Sequence, residues 1–213
     1  MRSCMADSAH DREHVYRVLY TALDIAKTED GVDGDVLICA CLLHDIGRQA
    51  QFADPTLDHA EGGGEMAFDF LLENGFEKVF AERVRHCILA HRFRRSDPPV
   101  TVEAKILFDA DKLDVAGALG IARSLIYIGT VGEPLYSLAP DGSVSDGTGD
   151  TEPSFFQEYK FKLENLYSRF YTRRGSELAL ERRGAAVDFY ERLYSEVNTP
   201  YVAGKAELET YLE

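Results

Sequence analysis

The segment Cys41-Leu-Leu-His-Asp-Ile-Gly-Arg48 constrains this chain most. His44 and Asp45 stand at the end of an apolar run, Val36–Leu43. Taking a carboxylate out of water is costly unless something pairs with it. Two readings are available. A divalent metal pairs with the carboxylate, or His44 and Asp45 close a core helix that Gly47 terminates. The choice depends on what the other segments bring to the pair.

The chain has 213 residues, and one compact domain over 1–213 is the expectation. Hydrophobic residues make up 45% and charged residues 28%, an ordinary globular balance. Val36–Leu43 is far too short to span a bilayer, so no membrane association is expected, and MRSCMADSAH has no apolar signal-peptide core. The net charge of −14 disfavours binding to a nucleic-acid polymer. It leaves room for a small phosphorylated molecule held by a metal and local cations. Cys4, Cys39, Cys41 and Cys87 form no CxxC motif and read as buried thiols in a reducing cytoplasm.

Apolar spacing marks successive helices. Ser8 and Asp11 resemble a capping box before a helix over 10–28, whose inward side includes His14. A hydrogen-bonded core histidine is the ordinary reading of such a residue. Asp35 is the expected cap of a helix over 36–46, and 49–57 reads as a loop. Asp58 starts a helix to Glu73 with His59 in its first turn. Gly62, Gly63 and Gly64 each cost up to ~1 kcal/mol there, so either they break the first turn or they let another backbone or a ligand approach closely. A helix over 76–91 carries Val79, Phe80, Val84, Cys87 and Ile88 inward, with His86 and His91 in its later half. Arg92, Arg94 and Arg95 follow, either a solvated loop or a phosphate contact. Thr101 opens a helix in which Asp109, Asp111 and Asp114 interrupt an apolar pattern. Residues 132–153 read as a long loop, either a lid or plain surface. Ser154 and Gln157 form another capping box. Helices are expected over 155–171 and 175–197, with a stop at Asn198-Thr199-Pro200 and a short final helix. No segment alternates like a strand, so the fold class is all-α.

His14, His44, Asp45 and Asp111 come from three of these helices, each on or beside an inward face. Two imidazoles and two carboxylates can surround one divalent ion (Mn, Fe, Co, Ni, Mg or Zn), and the mixed N/O set does not choose among them. The ion would neutralise both carboxylates, lower the pKa of a bound water and polarise a phosphoryl oxygen.

The order His…His-Asp…Asp resembles the HD-domain superfamily of metal-dependent phosphohydrolases. AHDREHVYRV, LLHDIGR, EAKILFDADKLDVAGALGIAR and FKLENLYSRFYTRRGSELALERR are similar to a subfamily of small bacterial HD hydrolases. The likeness covers most of 8–197 and is weakest over 132–153. It implies a single-domain helical bundle of the HD type: a core over about 8–130, the 132–153 loop and additional C-terminal helices over 154–213. It implies His14, His44, Asp45 and Asp111 as metal ligands. Some members hold two metals through further histidines. His59 in HAEGGGEMA and His91 in ILAHRF resemble those positions, with His86 a competing candidate. In single-metal members such histidines contact substrate phosphate or orient water, the reading preferred here. Lys112, Arg17, Arg48 and His86 are expected to contact substrate. Asp114 is expected either to take a proton from water or to support a ligand. For Lys112, Arg17, Arg48 and Asp114 a structural salt bridge is an equal alternative.

The expected function is metal-dependent hydrolysis of a small phosphorylated substrate, a nucleotide in the first instance. Either a phosphomonoester or the pyrophosphate bond of a nucleoside triphosphate would be cut. The alternatives are an HD-fold di-iron oxygenase and a non-catalytic nucleotide-binding module. A homodimer is compatible with this reading.

Overall fold

The computed structural model describes residues 12–54, 56, 59–92 and 98–212, with the backbone alone at 52 and 53. The Ser8–Asp11 box, Asp58, Arg94 and Arg95 lie outside them. The fold is all-α, and the described residues add only an isolated bridge between Leu138 and Val144. No single helix among them is long and apolar enough to cross a membrane. The chain forms two compact units. One holds the residues up to Asp114 with Arg169–Leu178, and the other holds Val115–Ser168 with the residues from Ala179 onward.

The first unit begins with α1 (Arg12–Ala26), which buries Val15, Val18, Leu19, Ala22 and Ile25, with His14 on the same side. The next helix, α2 (Gly34–Leu43), starts earlier than Asp35 would set it. Asp33 is its cap, accepting from the Asp35 and Val36 amides. A short α3 (Arg48–Ala53) occupies the expected loop. It is followed by α4 (His59–Glu73). Gly75 (φ +82°) ends α4, with the amides of Gly75 and Phe76 returning to Leu72 and Leu71, the closure an Asn-Gly pair favours. Then α5 (Lys78–Ala90) buries Val84, Cys87 and Ile88, but Val79 is 71% exposed, contrary to its expected inward position. It lies in the first turn of α5, on the cleft it lines with Lys78, Glu82 and Arg83. The last helix of the core, α6 (Val102–Leu113), has the expected Thr101 cap.

These helices pack as α1 against α2 and α6, and α5 against α2, α4 and α6. Buried acids tie connections to them. Glu103 accepts from the Asp33 amide at 2.9 Å. Asp109 accepts from the amides of Tyr171 (2.9 Å) and Thr172 (2.7 Å) and from the Thr172 hydroxyl (2.6 Å). It thereby holds the chain just before α9 on this unit. Arg174 adds an ion pair with Asp24 at 3.3 Å.

In the second unit, α7 (Gly117–Val131) ends at Gly132 in the left-handed region (φ +76°). The stretch to Pro153 is non-helical, as expected, and is bound together by Asp150, which accepts from Ser137 and Ser145. Ser154 caps α8 (Phe155–Glu158) through Gln157, as expected. Instead of one helix to 171, the chain passes into a π turn (Tyr159–Leu163) and a 3₁₀ turn (Leu166–Ser168). Phe155, Phe156, Tyr159 and Leu163 are all buried. Tyr159 stacks on Tyr190 at 4.0 Å between ring centroids. The long α9 (Arg173–Leu212) starts at the expected break but runs straight through Pro200. A single proline removes one ladder bond and crowds the preceding turn. The backbone absorbs this here, so the stop expected at 198–200 does not occur.

Candidate metal centre

The centre lies in the first unit, where α1, α2, α4, α5 and α6 each bring a side chain. His14 sits in the first turn of α1. Asp111 and Asp114 lie one turn apart at the end of α6, and all three face the α1–α6 contact. His44 and His91 are the C-cap residues of α2 and α5. Each turns its ring back onto its own last helical turn. His44 Nδ1 donates to the Cys41 carbonyl at 2.8 Å, and His91 Nδ1 to the Ile88 carbonyl at 2.5 Å. Carbonyls only accept, so the ring proton is on Nδ1 and the Nε2 lone pair faces inward. His14 Nδ1 lies 2.7 Å from Asp114 Oδ2, which fixes the same tautomer.

These Nε2 atoms converge with carboxylate oxygens. His14 Nε2 and His44 Nε2 are 3.3 Å apart. Asp45 Oδ2 lies 3.5 Å from the first and 3.7 Å from the second, and Asp111 Oδ1 is 3.6 Å from His14 Nε2. On the other side of the same carboxylate, Asp45 Oδ1 is 3.9 Å from His59 Nε2 and 3.9 Å from His91 Nε2. Both His14–His44–Asp45 and Asp45–His59–His91 can offer ligand atoms to one ion. Asp45 therefore serves two groups, one through each oxygen.

The donor set fits a cation. With three imidazole protons directed outward, lone pairs face lone pairs across 3.3 Å in a buried space. Asp45 Oδ2, His59 Nδ1 and His91 Nε2 are buried and have no hydrogen-bond partner among the described residues. Such groups are costly unless an ion or water engages them. Two imidazoles and two carboxylates suit divalent metals.

Electrostatics point the same way. Burial would raise the Asp45 carboxyl, but His44, Arg48 and His14 hold it well below the usual range. Burial likewise opposes ionisation of Asp111, yet Lys112 and the histidines hold it low. Burial first and the Arg48 charge second push His59 down to about 3, and burial first and the adjoining His44 second push His91 to about 4. Neutral imidazole is the form that ligates.

A close backbone contact carries His59 to Asp45. A Cβ on Gly47 would lie 2.5 Å from the His59 carbonyl and 2.7 Å from the Gly63 amide. Gly63 thus answers the question raised by its triplet, since it lets α4 approach the turn after Asp45. Gly62 faces open space, and Gly64 meets Leu89.

The other expected residues separate. Arg48 Nε contacts Asp45 Oδ1 at 3.2 Å. Lys112 Nζ lies 5.1 Å from the Phe108 ring centroid and is the leading charge that lowers Asp111. Arg17 bonds Asp114, through Nε at 2.8 Å and a terminal nitrogen at 3.1 Å. Its guanidinium is thus engaged at the back of His14. His86 is exposed and lines a cleft of about 360 Å³ with Lys78, Val79, Glu82, Arg83 and Thr101. It does not join the cluster. Five residues along a helix is about 140° of rotation, so His86 and His91 cannot share a face. The Cys41 and Ile88 carbonyls had no reading in the sequence, and Arg92, expected in a solvated loop or a phosphate contact, acts on His59 through its charge. The available signal for the carbonyls was that both histidines directly follow an apolar helical run.

A helical unit with two adjoining His/Asp groups defines a candidate metal-site protein. Residues 12–116 match the HD domain family. The Bacillus subtilis protein YpgQ is 32% identical over 195 residues, spanning 89% of this chain and 85% of its own. The crystal structure of YpgQ in complex with ADP superposes with a TM-score of 0.68 at 29% identity, covering 89% of this chain and 91% of that one. A predicted HD superfamily hydrolase from an uncultured Thermotogales bacterium gives 0.58 at 30% identity, covering 89% and 83%. The chain belongs to the HD-domain family, and its structural neighbours include HD-superfamily hydrolases.

Proposed function

We propose that this protein is a metal-dependent phosphohydrolase whose substrate is a small phosphorylated molecule, in the first instance a nucleotide. One observation carries the metal reading. His14 Nε2 and His44 Nε2, both stripped of protons by their Nδ1 bonds, meet 3.3 Å apart beside two carboxylates. A divalent ion held by His14, His44, Asp45 and Asp111 would supply Lewis acidity, lowering the pKa of water and drawing charge from a phosphoryl oxygen.

The protein's own groups do the rest. Lys112, Arg48 and Arg92 border the cluster and offer positive charge to a phosphate chain. Burial holds His59 neutral at pH 7, and no acceptor among the described residues fixes its Nδ1. Its ring is therefore suited to donate a hydrogen bond to a phosphoryl oxygen. His91 differs, because its proton is committed to Ile88, leaving Nε2 only as an acceptor. It can orient water by accepting from it, but it cannot donate to phosphate. The YpgQ–ADP complex supports a nucleoside polyphosphate as the substrate class. A cytoplasmic setting accords with free thiols at Cys39, Cys41 and Cys87.

The test loads metal-free protein with single divalent ions and offers nucleoside mono-, di- and triphosphates, measuring phosphate and pyrophosphate separately. Hydrolysis that disappears with EDTA and with His44→Ala is expected. Turnover indifferent to both would overturn the proposal.

A second reading has its own observation: the bare, unpartnered His91 Nε2 beside Asp45 Oδ1 and His59. These three could hold a second metal, the arrangement that either a two-metal hydrolase or a di-iron oxygenase needs. Two bound metals per chain would favour it. Oxygen consumption by the iron-loaded protein would then select the oxygenase.

A further inference from the structure

We propose that Arg17 and Asp114 act together as a positioning pair that locks His14 in its Nδ1–H tautomer and thereby sets the metal affinity of the centre. The inference rests on the metal reading above and gives two residues a role other than catalysis.

The geometry is a chain of three side chains. His14 and Arg17 lie one turn apart on α1, as Asp111 and Asp114 do at the end of α6. The two helices pack, so the pairs face each other. Asp111 meets His14 on the Nε2 side, with Oδ1 at 3.6 Å. Asp114 meets it on the Nδ1 side, with Oδ2 at 2.7 Å. Arg17 then grips Asp114 from behind, with one nitrogen on each oxygen at 2.8 and 3.1 Å. A guanidinium only donates, and its fork fixes the carboxylate plane. Both oxygens are thereby held as acceptors, and the hydrogen between Asp114 and His14 belongs to Nδ1. Nε2 must present its lone pair to the cluster.

This arrangement bears on two other expected roles. Asp114 is nearly buried, with its side chain 4% exposed, and it sits on the far side of the imidazole from the Nε2 cluster. A water in the cluster would meet Nε2, so Asp114 is not placed to take its proton. Arg17 commits Nε and one terminal nitrogen to Asp114, so its effect on metal affinity runs through His14. His44 and His91 reach the same tautomer through backbone carbonyls, which no side-chain substitution removes. Among these three, only the tautomer of His14 rests on a side-chain acceptor, so His14 is the one that mutation can unlock.

The test uses the full chain, metal-free, with ¹⁵N-labelled histidine at one fixed pH near 7.5. Long-range ¹⁵N–¹H spectra report which ring nitrogen carries the proton, and His14→Gln assigns the His14 signals. Wild type is expected to show His14 as Nδ1–H. Asp114→Asn offers an amide N–H to Nδ1 and is expected to shift His14 toward Nε2–H. Mn²⁺ affinity by calorimetry should fall roughly 10–100-fold, the usual loss when a ligand's supporting group is removed. Arg17→Ala should lower it by a smaller factor, and Asp114→Glu should recover part of the loss. If Asp114→Asn fails to fold, Arg17→Ala and Asp114→Glu carry the same comparison. An unchanged His14 tautomer with wild-type Mn²⁺ affinity in the variants overturns the proposal. Failure of wild type to bind Mn²⁺ or any other divalent ion overturns the metal reading instead, while the tautomer spectra still decide the pairing.

Discussion

His14, His44, His59 and His91 are all buried, but their rings are held in different ways. Nδ1 is bound in His14, His44 and His91, whereas in His59 it is buried without a hydrogen-bond partner among the described residues. The difference decides what each ring can do, and no sequence pattern displays it. It also has a pH consequence in the metal-free protein. His59 and His91 are pushed from 6.5 to about 3 and about 4, chiefly by burial. The unfolded chain therefore binds protons below about 6.5 that the folded chain refuses. The stability these groups contribute is complete above that pH and is lost as pH falls toward 4. The slope is at most about 1.4 kcal/mol per pH unit for each ring. Urea unfolding of metal-free protein between pH 7 and 4.5 should show this decline, and His91→Gln should flatten it. An equal slope in both proteins would refute the assignment.

At the scale of elements, glycine placement sets the second histidine group. Gly47 and Gly63 let the turn after Asp45 touch α4, which carries His59 to 3.9 Å from Asp45. Gly47→Ala should destabilise the metal-free protein by ~1–3 kcal/mol through overpacking and should also weaken the proposed hydrolysis, although it alters no proposed ligand. Gly62→Ala, whose Cβ meets nothing within 4 Å, should stabilise by up to ~1 kcal/mol through helix propensity. Chemical denaturation of the two variants side by side checks both signs. The triplet was legible as an anomaly with two explanations, and only the packed helices show which glycine supplies the close approach. Helix ends were legible where a cap announces them, as at Thr101, Ser154 and Gly75. They were misread at Asp35 and Pro200. In the first case a competing acceptor, Asp33, stands two residues earlier, and in the second a long helix tolerates one missing bond.

At the scale of the molecule, the unit that holds the centre includes a segment from far along the chain, Arg169–Leu178. Asp109 holds it through the Tyr171 and Thr172 amides and the Thr172 hydroxyl, and its carboxyl is pushed upward by burial despite those bonds. Asp109→Ala would leave buried donors unpaired. It should cost about 1–3 kcal/mol and accelerate amide exchange at Tyr171 and Thr172 while leaving metal stoichiometry unchanged. Loss of metal together with stability would place Asp109 in the centre itself. The three aspartates Asp109, Asp111 and Asp114 all interrupt one apolar helix in sequence. The packed molecule gives them separate neighbours: a backbone clasp, the histidine cluster and the Arg17–His14 pair.

The amino-acid order alone determined the all-α class, through apolar spacing at three and four residues and the absence of strand alternation. It also singled out His14, His44, Asp45 and Asp111, because charge inside an apolar pattern is expensive wherever the chain folds. It could not decide how the histidines divide, why Asp45 serves two groups, or that Arg17 faces Asp114. Those depend on which atom of each ring or carboxylate points inward. That direction is set by contacts between helices distant in sequence and by carbonyls at helix ends, whose positions exist only once the helices have packed.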